Sequence, residues 1–222
     1  MLAAGLIARV QDCAGRETLR VTDAGVTELA RTLQKNRAAR HDHEALVSRV
    51  AREMQRAGRV VWRGLSLRAW VGQDKPPATE DASTPPPLLT EPQALAADAE
   101  RRWAMAMPDV FSIRHTTVEA YVEPVAHEIK VRRGDLLSDL RRPAKAQAYR
   151  WLASQCWYVL ADGIGQVEEI PEDYGVMFAA AGSLEVARPA PRRAMTLPFA
   201  VWMALARATP EAHDDDPQAP LV

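Results

Sequence analysis

Two short stretches, MPDVFSI at residues 107–113 and HEIKV at residues 127–131, decide how this chain folds. We interpret both as neighbouring strands of one sheet. Since residues i and i+2 of a strand share a face, Glu128 and Lys130 point the same way, and Ile129 and Val131 point to the opposite, buried face. If the two strands pair, the carboxylate of Asp109 can lie beside that of Glu128.

This spacing points to metal-assisted chemistry, because a charged pair on an otherwise apolar strand costs free energy unless it is paired or binds an ion. The carboxylates of Asp109 and Glu128 would form a hard oxygen site that suits Mg²⁺, or Mn²⁺ in its place. The ion would stabilise phosphoryl charge and acidify a bound water, while Lys130 orients that water or holds the phosphate. An exposed edge strand with an idle Glu-Lys pair remains the open alternative.

Pro108-Asp109 and Glu128-Ile129-Lys130 together resemble the PD-(D/E)xK nuclease superfamily. The sequence after them, including IPEDYGV at residues 170–176, looks like the MmcB-type DNA-repair branch, and the resemblance covers about residues 42–187 with one insert. It implies an α/β fold, with a restriction-endonuclease-like mixed central sheet flanked by helices. It also implies that Asp109 and Glu128 hold the metal and that Lys130 is catalytic.

The resemblance suggests further site residues. Glu44 is a candidate for the extra acid that some members place on the first core helix, although the plainer explanation is that it favours that helix's N-terminus. The helix after Glu-x-Lys often faces the substrate in this superfamily, so Gln147 and Tyr149 are secondary candidates. Four basic residues near the site are expected to contact nucleic acid, namely Arg132, Arg133, Lys145 and Arg150.

Two more acids, Asp135 and Asp139, fall in a short helical or turn segment before Pro143, which suits the first turn of a helix. The resemblance includes both acids without giving them a role. Capping of the next helix and pairing with Arg132 or Arg133 are both open.

The charges are segregated, although the formal net charge is only −1. Residues 31–68 contain ten Lys or Arg and three Asp or Glu, and residues 130–150 contain seven and two. The acids concentrate in residues 74–100 and 211–216. A basic core is compatible with binding to DNA, and solvated helix faces are the plainer explanation of the first basic stretch.

Cys13 and Cys156 are the two cysteines, and neither belongs to a metal-binding spacing. They predict no zinc site and no disulfide framework, which fits a reducing cytosol. We see no signal peptide, and the longest apolar run, at residues 195–208, is too short and interrupted to span a bilayer. The expected location is therefore cytoplasmic, without a membrane partner.

We predict three parts. Residues 1–38 resemble the wing and closing helix of a winged-helix domain that lacks its helix-turn-helix, with strands at 6–10 and 18–21 and an N-cap at Thr22 or Asp23. A plain hairpin packed on a helix is equally open. Residues 39–190 form the nuclease-like domain, with a helix at 41–57, a flexible insert at 72–92 and a helix at 92–105. Residues 191–222 form a tail, briefly helical and partly disordered.

The leading expectation is a Mg²⁺-dependent deoxyribonuclease in DNA repair or in defence against foreign DNA. A non-catalytic DNA-binding or regulatory protein on a nuclease scaffold is the alternative, and a structural partner of another repair protein is a third. A homodimer is also open. Nucleotide-driven activity and acyl transfer are not indicated, because the sequence has neither a G-x-x-x-x-G-K-[ST] nor a G-x-S-x-G motif.

Overall fold

The computed structural model describes residues 4–11, 16–71 and 103–212. The insert predicted at residues 72–92 and the acidic end of the tail lie outside these ranges, apart from Glu211. The chain forms two compact units, Met1–Glu44 and Ala45–Val222. Within the described ranges, no helix combines the length and the apolarity that a membrane crossing requires.

The N-terminal unit begins with two antiparallel strands, β1 (Ile7–Gln11) and β2 (Glu17–Val21), which confirms the predicted strand pair. Helix α1 (Asp23–Arg56) follows. The hydroxyl oxygen of Thr22 accepts the N–H of Gly25 at 3.1 Å, so Thr22 is the N-cap that the sequence predicted.

Helix α1 is one continuous helix of 34 residues, and the expectation of a separate second helix over residues 41–57 is wrong. The residues expected to separate the two, QKNRAAR at 34–40, contain neither Gly nor Pro. Nothing in that stretch breaks the backbone hydrogen bonds, so the helix continues although its apolar stripe is interrupted.

The second unit contains Ala45–Val222, and its strands and helices follow α1 in chain order. They are β3 (Arg59–Arg63), β4 (Leu67–Trp70), β5 (Trp103–Ala106), β6 (Val110–Arg114), β7 (Val125–Lys130), α2 (Arg133–Leu140), α3 (Pro143–Leu152), β8 (Gln155–Ala161), β9 (Gly175–Ala179), β10 (Leu184–Arg188) and α4 (Phe199–Arg207).

Six of these strands form one central sheet in the order β10-β9-β8-β7-β6-β3. Strands β7, β8 and β9 run parallel, and the other neighbours in the sheet are antiparallel. The protein is therefore a mixed α/β fold with its sheet flanked by helices, as predicted at that level. Strand β7, which carries Glu128 and Lys130, lies in the interior of the sheet with a neighbour on each side.

Each face of the sheet has its own apolar core. On one face, Leu46 and Val50 of α1 pack with Ile129 and Val159. On the other face, α3 packs against the sheet through buried side chains such as Leu152. That second core also contains Leu197, Val201 and Leu205, so the segment expected to form a tail is partly built into the domain.

A separate two-stranded sheet pairs β4 with β5. The expectation of a helix over residues 92–105 is wrong at residues 103–105, which belong to β5, and residues 92–102 lie outside the described ranges. The indole of Trp103 meets Trp70 across the strands at 5.2 Å between ring centroids, and it meets Trp151 at 5.8 Å. Such edge-to-face aromatic pairs favour strand pairing over an isolated helix.

Candidate functional site

The pairing of β6 with β7 brings Asp109 to Glu128 and Lys130. Val110 lies opposite His127 in the antiparallel register, and Asp109 directly precedes Val110. Its Oδ2 accepts the backbone N–H of Ile129 at 2.7 Å. Asp109 is thus hydrogen-bonded to Ile129, the residue between Glu128 and Lys130. The predicted pairing of β6 with β7 brings them together.

Glu128 and Lys130 form a buried pair on one face of β7. The Glu128 side chain is 5% exposed and that of Lys130 is 12% exposed, and the Lys130 ammonium donates to Glu128 Oε1. Ile129 points into the opposite core, as strand alternation requires. The alternative of an exposed Glu-Lys pair on an edge strand does not hold, because β7 is an interior strand.

Helix α3 adds two side chains to the same carboxylate. Lys145 and Tyr149 are four residues apart and therefore share a face of the helix. The Lys145 ammonium donates to Glu128 Oε1 at 2.6 Å, and the Tyr149 hydroxyl donates to Oε2 at 2.7 Å. The ammonium also lies over the Tyr149 ring, 5.3 Å from its centroid. Both oxygens of Glu128 are thus engaged by donors from its own chain.

Asp139 of α2 is the site residue that the sequence did not identify. Its Oδ1 accepts Lys145 at 2.7 Å, its Oδ2 accepts the Tyr158 hydroxyl at 2.9 Å, and Oδ2 lies 3.5 Å from the Lys130 ammonium. Asp139 does not cap α3, whose N-cap receives no side-chain hydrogen bond. The signal that indicates its position is its spacing of three residues from Leu136, since the two buried residues share one face of α2.

The electrostatics fix the protonation of the lysine and the aspartate. Burial alone would lower the pKa of Lys130, but Glu128, Asp139 and Asp109 outweigh it, so that pKa is raised. Burial alone would raise the pKa of Asp139, but Lys145 and Lys130 outweigh it, so that pKa is lowered. At neutral pH Lys130 is an ammonium ion and Asp139 a carboxylate, and Lys130 is therefore unsuited to act as a base.

The two tyrosines of the cluster stay protonated. Burial, followed by the neighbouring carboxylate of Glu128, raises the pKa of Tyr149 far above its usual range. Burial and Asp139 do the same to the pKa of Tyr158. Each phenol is therefore a permanent hydrogen-bond donor, and each holds one carboxylate in a fixed orientation.

The cluster combines three carboxylates with two ammonium groups. Asp109, Glu128 and Asp139 supply three carboxylates against the two ammonium groups of Lys130 and Lys145, which leaves one net negative charge. No group of three or more His, Cys, Asp or Glu in the described ranges is placed to hold a metal ion. Mg²⁺ needs only one or two carboxylates, because it keeps several waters and takes phosphate oxygens as further ligands. Asp109 and Glu128 fit that requirement.

The contacts of the cluster described above assign no role to two further predicted site residues, Glu44 and Gln147. Glu44 belongs to the N-terminal unit, and its side chain is 64% exposed. Its Oε1 lies 3.7 Å from Nδ1 of His43. Gln147 is half-buried, and residues two apart on a helix do not face each other, so it points away from the face shared by Lys145 and Tyr149. Site roles for Glu44 and Gln147 stay predictions.

The arginines expected at the DNA are engaged with carboxylates on the surface. Arg133 donates to Glu169, and Arg150 donates to Asp173. Salt and solvent screen ion pairs on the surface, so a phosphate can compete for these arginines. Arg132 is half-buried and occupies the N-cap position of α2.

No protein-family model matches this chain, and no curated protein matches it. A solved structure described as the SPO1766 protein of unknown function from Silicibacter pomeroyi is similar, with a TM-score of 0.42 and 19% identity. The match covers 71% of this chain and 76% of that one. We draw nothing from a likeness of this size.

Proposed function

We propose that this chain is a metal-dependent nuclease that hydrolyses DNA phosphodiester bonds, in DNA repair or in defence against foreign DNA. One observation carries the proposal. Glu128 and Lys130 form a buried pair on an interior strand, and Asp109 is hydrogen-bonded to the residue between them. This is the residue pattern of PD-(D/E)xK nucleases, and the proposal includes their restriction-endonuclease-like architecture.

The residues divide the chemistry between them. When bound, Mg²⁺ or Mn²⁺ would supply charge stabilisation at the phosphoryl group and a more acidic water. Asp109 and Glu128 are the carboxylates that would hold the ion. Lys130, fixed as an ammonium ion, stabilises negative charge that develops on the phosphate or orients the attacking water. Tyr149 keeps the Glu128 carboxylate in place by donating to Oε2.

The net charge of the cluster favours the joint binding of metal and DNA. With one net negative charge, the cluster by itself repels a phosphodiester, which also carries one negative charge. One divalent cation reverses that sign to a single positive charge, and the phosphodiester then neutralises it. Metal and DNA are therefore expected to bind with positive coupling at this site.

The same proposal assigns the DNA backbone to the basic surface. Arg133 of α2 and Arg150 of α3 are exposed, and phosphate oxygens could replace their surface carboxylate partners Glu169 and Asp173. The antiparallel strands β1 and β2 of the N-terminal unit are the winged-helix-like part of the proposal, with Arg9 and Arg20 on exposed strand positions. Contacts of this kind position DNA without reading its sequence.

One observation favours a second candidate, a DNA-binding or regulatory protein that has kept a nuclease scaffold without catalysis. Both oxygens of Glu128 already accept hydrogen bonds from Lys130, Lys145 and Tyr149. A buried carboxylate satisfied in this way is stable without a metal, and the cluster would then serve to fix the sheet to α3.

The two candidates differ in a cleavage assay. Labelled linear, single-stranded and branched DNA are incubated with the protein in Mg²⁺ or Mn²⁺, with EDTA as the blank and Lys130→Ala beside the wild type. Metal-dependent cutting that Lys130→Ala abolishes, with DNA binding retained, supports the nuclease. Equal DNA binding by both proteins and no cutting of any substrate supports the non-catalytic candidate.

A further inference from the structure

Lys145 occupies a position that the nuclease pattern does not explain. Its ammonium bridges two buried carboxylates, 2.6 Å from Glu128 Oε1 and 2.7 Å from Asp139 Oδ1. Glu128 Oε1 also accepts Lys130, so two ammonium groups share one carboxylate oxygen. A divalent cation that binds Glu128 has to compete with one of them.

Lys130 and Lys145 differ in how easily each ammonium can leave the Glu128 carboxylate. Lys130, at the end of strand β7, is 12% exposed, and its ammonium lies between Glu128 and Asp139. Lys145 is 27% exposed and extends from the first turns of α3 on a long, flexible side chain. Lys145 therefore reaches solvent more easily, and it can leave Glu128 without any movement of the backbone.

Asp139 gives Lys145 a second place to bind. The Asp139 carboxylate is itself fixed by the Tyr158 hydroxyl at 2.9 Å. If a cation bound Glu128, Lys145 would keep Asp139 as a buried partner at the edge of the cluster. Its ammonium would then lie next to the metal ligands, and the N–H released by Glu128 could donate to a phosphate oxygen.

We propose that Lys145 is a second active-site lysine: its ammonium neutralises Glu128 in the free protein, a divalent metal displaces it from that carboxylate, and Asp139 retains it as a phosphate contact. This rests on the proposed nuclease function and adds to it a residue, a partner and an exchange. Asp139 is a positioning residue in this arrangement, because it acts through Lys145.

Metal binding without DNA tests the exchange. Mn²⁺ is titrated into the full chain by calorimetry, and Lys145→Met is compared with the wild type. Removal of the competing ammonium is expected to tighten Mn²⁺ binding by at least about tenfold, since a unit charge a few ångströms from a divalent cation in a partly buried site repels it by at least that much. The cleavage rate at saturating Mn²⁺ is expected to fall at the same time, because the phosphate contact is lost.

Two control variants isolate the effect. Lys145→Arg keeps the charge and is expected to stay within about twofold of the wild-type Mn²⁺ affinity. Arg150→Met removes a positive charge from the same helix, but Arg150 is exposed and pairs with Asp173 outside the cluster. It should also shift the affinity by less than about twofold.

The outcomes separate this proposal from the nuclease itself. Tighter Mn²⁺ binding combined with slower cleavage supports the exchange. Loss of a lysine with only a structural role would not raise the Mn²⁺ affinity while it lowers the cleavage rate. Unchanged or weaker Mn²⁺ binding by Lys145→Met overturns it, and the nuclease stands if the wild type still cuts DNA. Absence of Mn²⁺ binding to both proteins also overturns the exchange, and the nuclease itself is overturned only if the wild type cuts no DNA in Mn²⁺ either. If Lys145→Met does not fold, Lys145→Gln replaces it, since its amide donates to the same two carboxylates without a charge.

Discussion

The two faces of strand β7 carry neighbouring buried polar residues with opposite properties. Glu128 on one face accepts hydrogen bonds at both oxygens from three side chains. His127 on the other face is 1% exposed, and neither of its ring nitrogens has a hydrogen-bond partner among the described residues. Its ring stacks on Trp157, with centroids 6.4 Å apart and planes 15° from parallel.

The two residues lie in different environments: donors surround the buried carboxylate of Glu128, and burial keeps the imidazole of His127 neutral. Burial, followed by the positive charge of Arg59, lowers the pKa of His127 to about 3. His127 thus behaves as an apolar ring. Replacing buried ion pairs by apolar side chains of similar size is often neutral, so the network around Glu128 is weak evidence of a stabilising role, and we propose that it serves the chemistry of the site.

The largest effect is expected from Asp109→Asn. The amide oxygen still accepts the N–H of Ile129, so the fold is expected to remain while the negative charge for the metal is lost. Metal-dependent cleavage should fall by about 100-fold or more, the usual order for the loss of an electrostatic group at a catalytic centre. The measurement is a single-turnover cleavage rate beside a thermal melt.

Asp135→Asn is the matched control, because Asp135 is an exposed acid of α2. It is expected to cleave like the wild type. An equal loss of rate in both variants would remove the special role of Asp109.

The next effect is a pH dependence of stability that originates from His127. Its pKa is about 3 in the folded protein and about 6.5 when unfolded, so protonation favours the unfolded chain. Stability is complete above about pH 6.5 and falls as the pH drops toward 3, by about 2 kcal/mol between pH 7 and pH 5. Urea unfolding at each pH measures it.

His127→Leu removes the titrating ring and should flatten this slope between pH 7 and pH 5. A mutant that loses stability over that interval as steeply as the wild type would show that His127 is not the neutral, buried group described above.

A smaller effect is expected from Tyr149→Phe, which leaves Glu128 Oε2 without its donor. Loss of this buried hydrogen bond should cost about 1–2 kcal/mol of stability. Cleavage should slow as well, because the carboxylate is less firmly oriented. Tyr174→Phe is the control, since the Tyr174 hydroxyl makes only a 3.4 Å hydrogen bond to the Ala146 carbonyl. Equal losses in both variants would argue against a special role for the Tyr149 hydroxyl.

The smallest effects on stability are expected at Arg133 and Arg150. Loss of the exposed Arg150–Asp173 ion pair should change the free energy of unfolding by less than about 1 kcal/mol, and loss of the Arg133 pair should also change it little. DNA affinity should nevertheless weaken, with the salt slope reduced by about one for each phosphate contact removed. Fluorescence anisotropy at several salt concentrations measures the slope, and an unchanged slope in both variants would place the DNA elsewhere.

The sequence predicted the strand side of the site because strand alternation is local. The period of two placed Glu128 and Lys130 on one face and Ile129 on the other, and the pairing of β6 with β7 supplied Asp109. The spacing of Asp139 from Leu136 indicates the buried face of α2, but the contact of Asp139 with Tyr158 depends on the tertiary packing of α2 and β8. Lys145 was expected at the DNA, and its contacts with Glu128 and Asp139 depend on the approach of α3.

The same limit explains the differences in the fold. The apolar stripe of α1 breaks between its two ends, and periodicity alone therefore predicted two helices where the backbone forms one. Strand β5 depends on pairing with β4, more than 30 positions earlier in the chain, and its four residues carry too little local signal. Pairing partners distant in sequence decide such elements.

The central claim is that one face of β7 is catalytic and the other is not. The most direct test is the single-turnover rate of Mn²⁺-dependent DNA cleavage by wild type, Glu128→Gln and His127→Leu, each shown to be folded at neutral pH. We predict that the wild type and His127→Leu cleave at similar rates and that Glu128→Gln has lost the activity. Cleavage that survives in Glu128→Gln, or a wild type without metal-dependent cleavage, would contradict the claim.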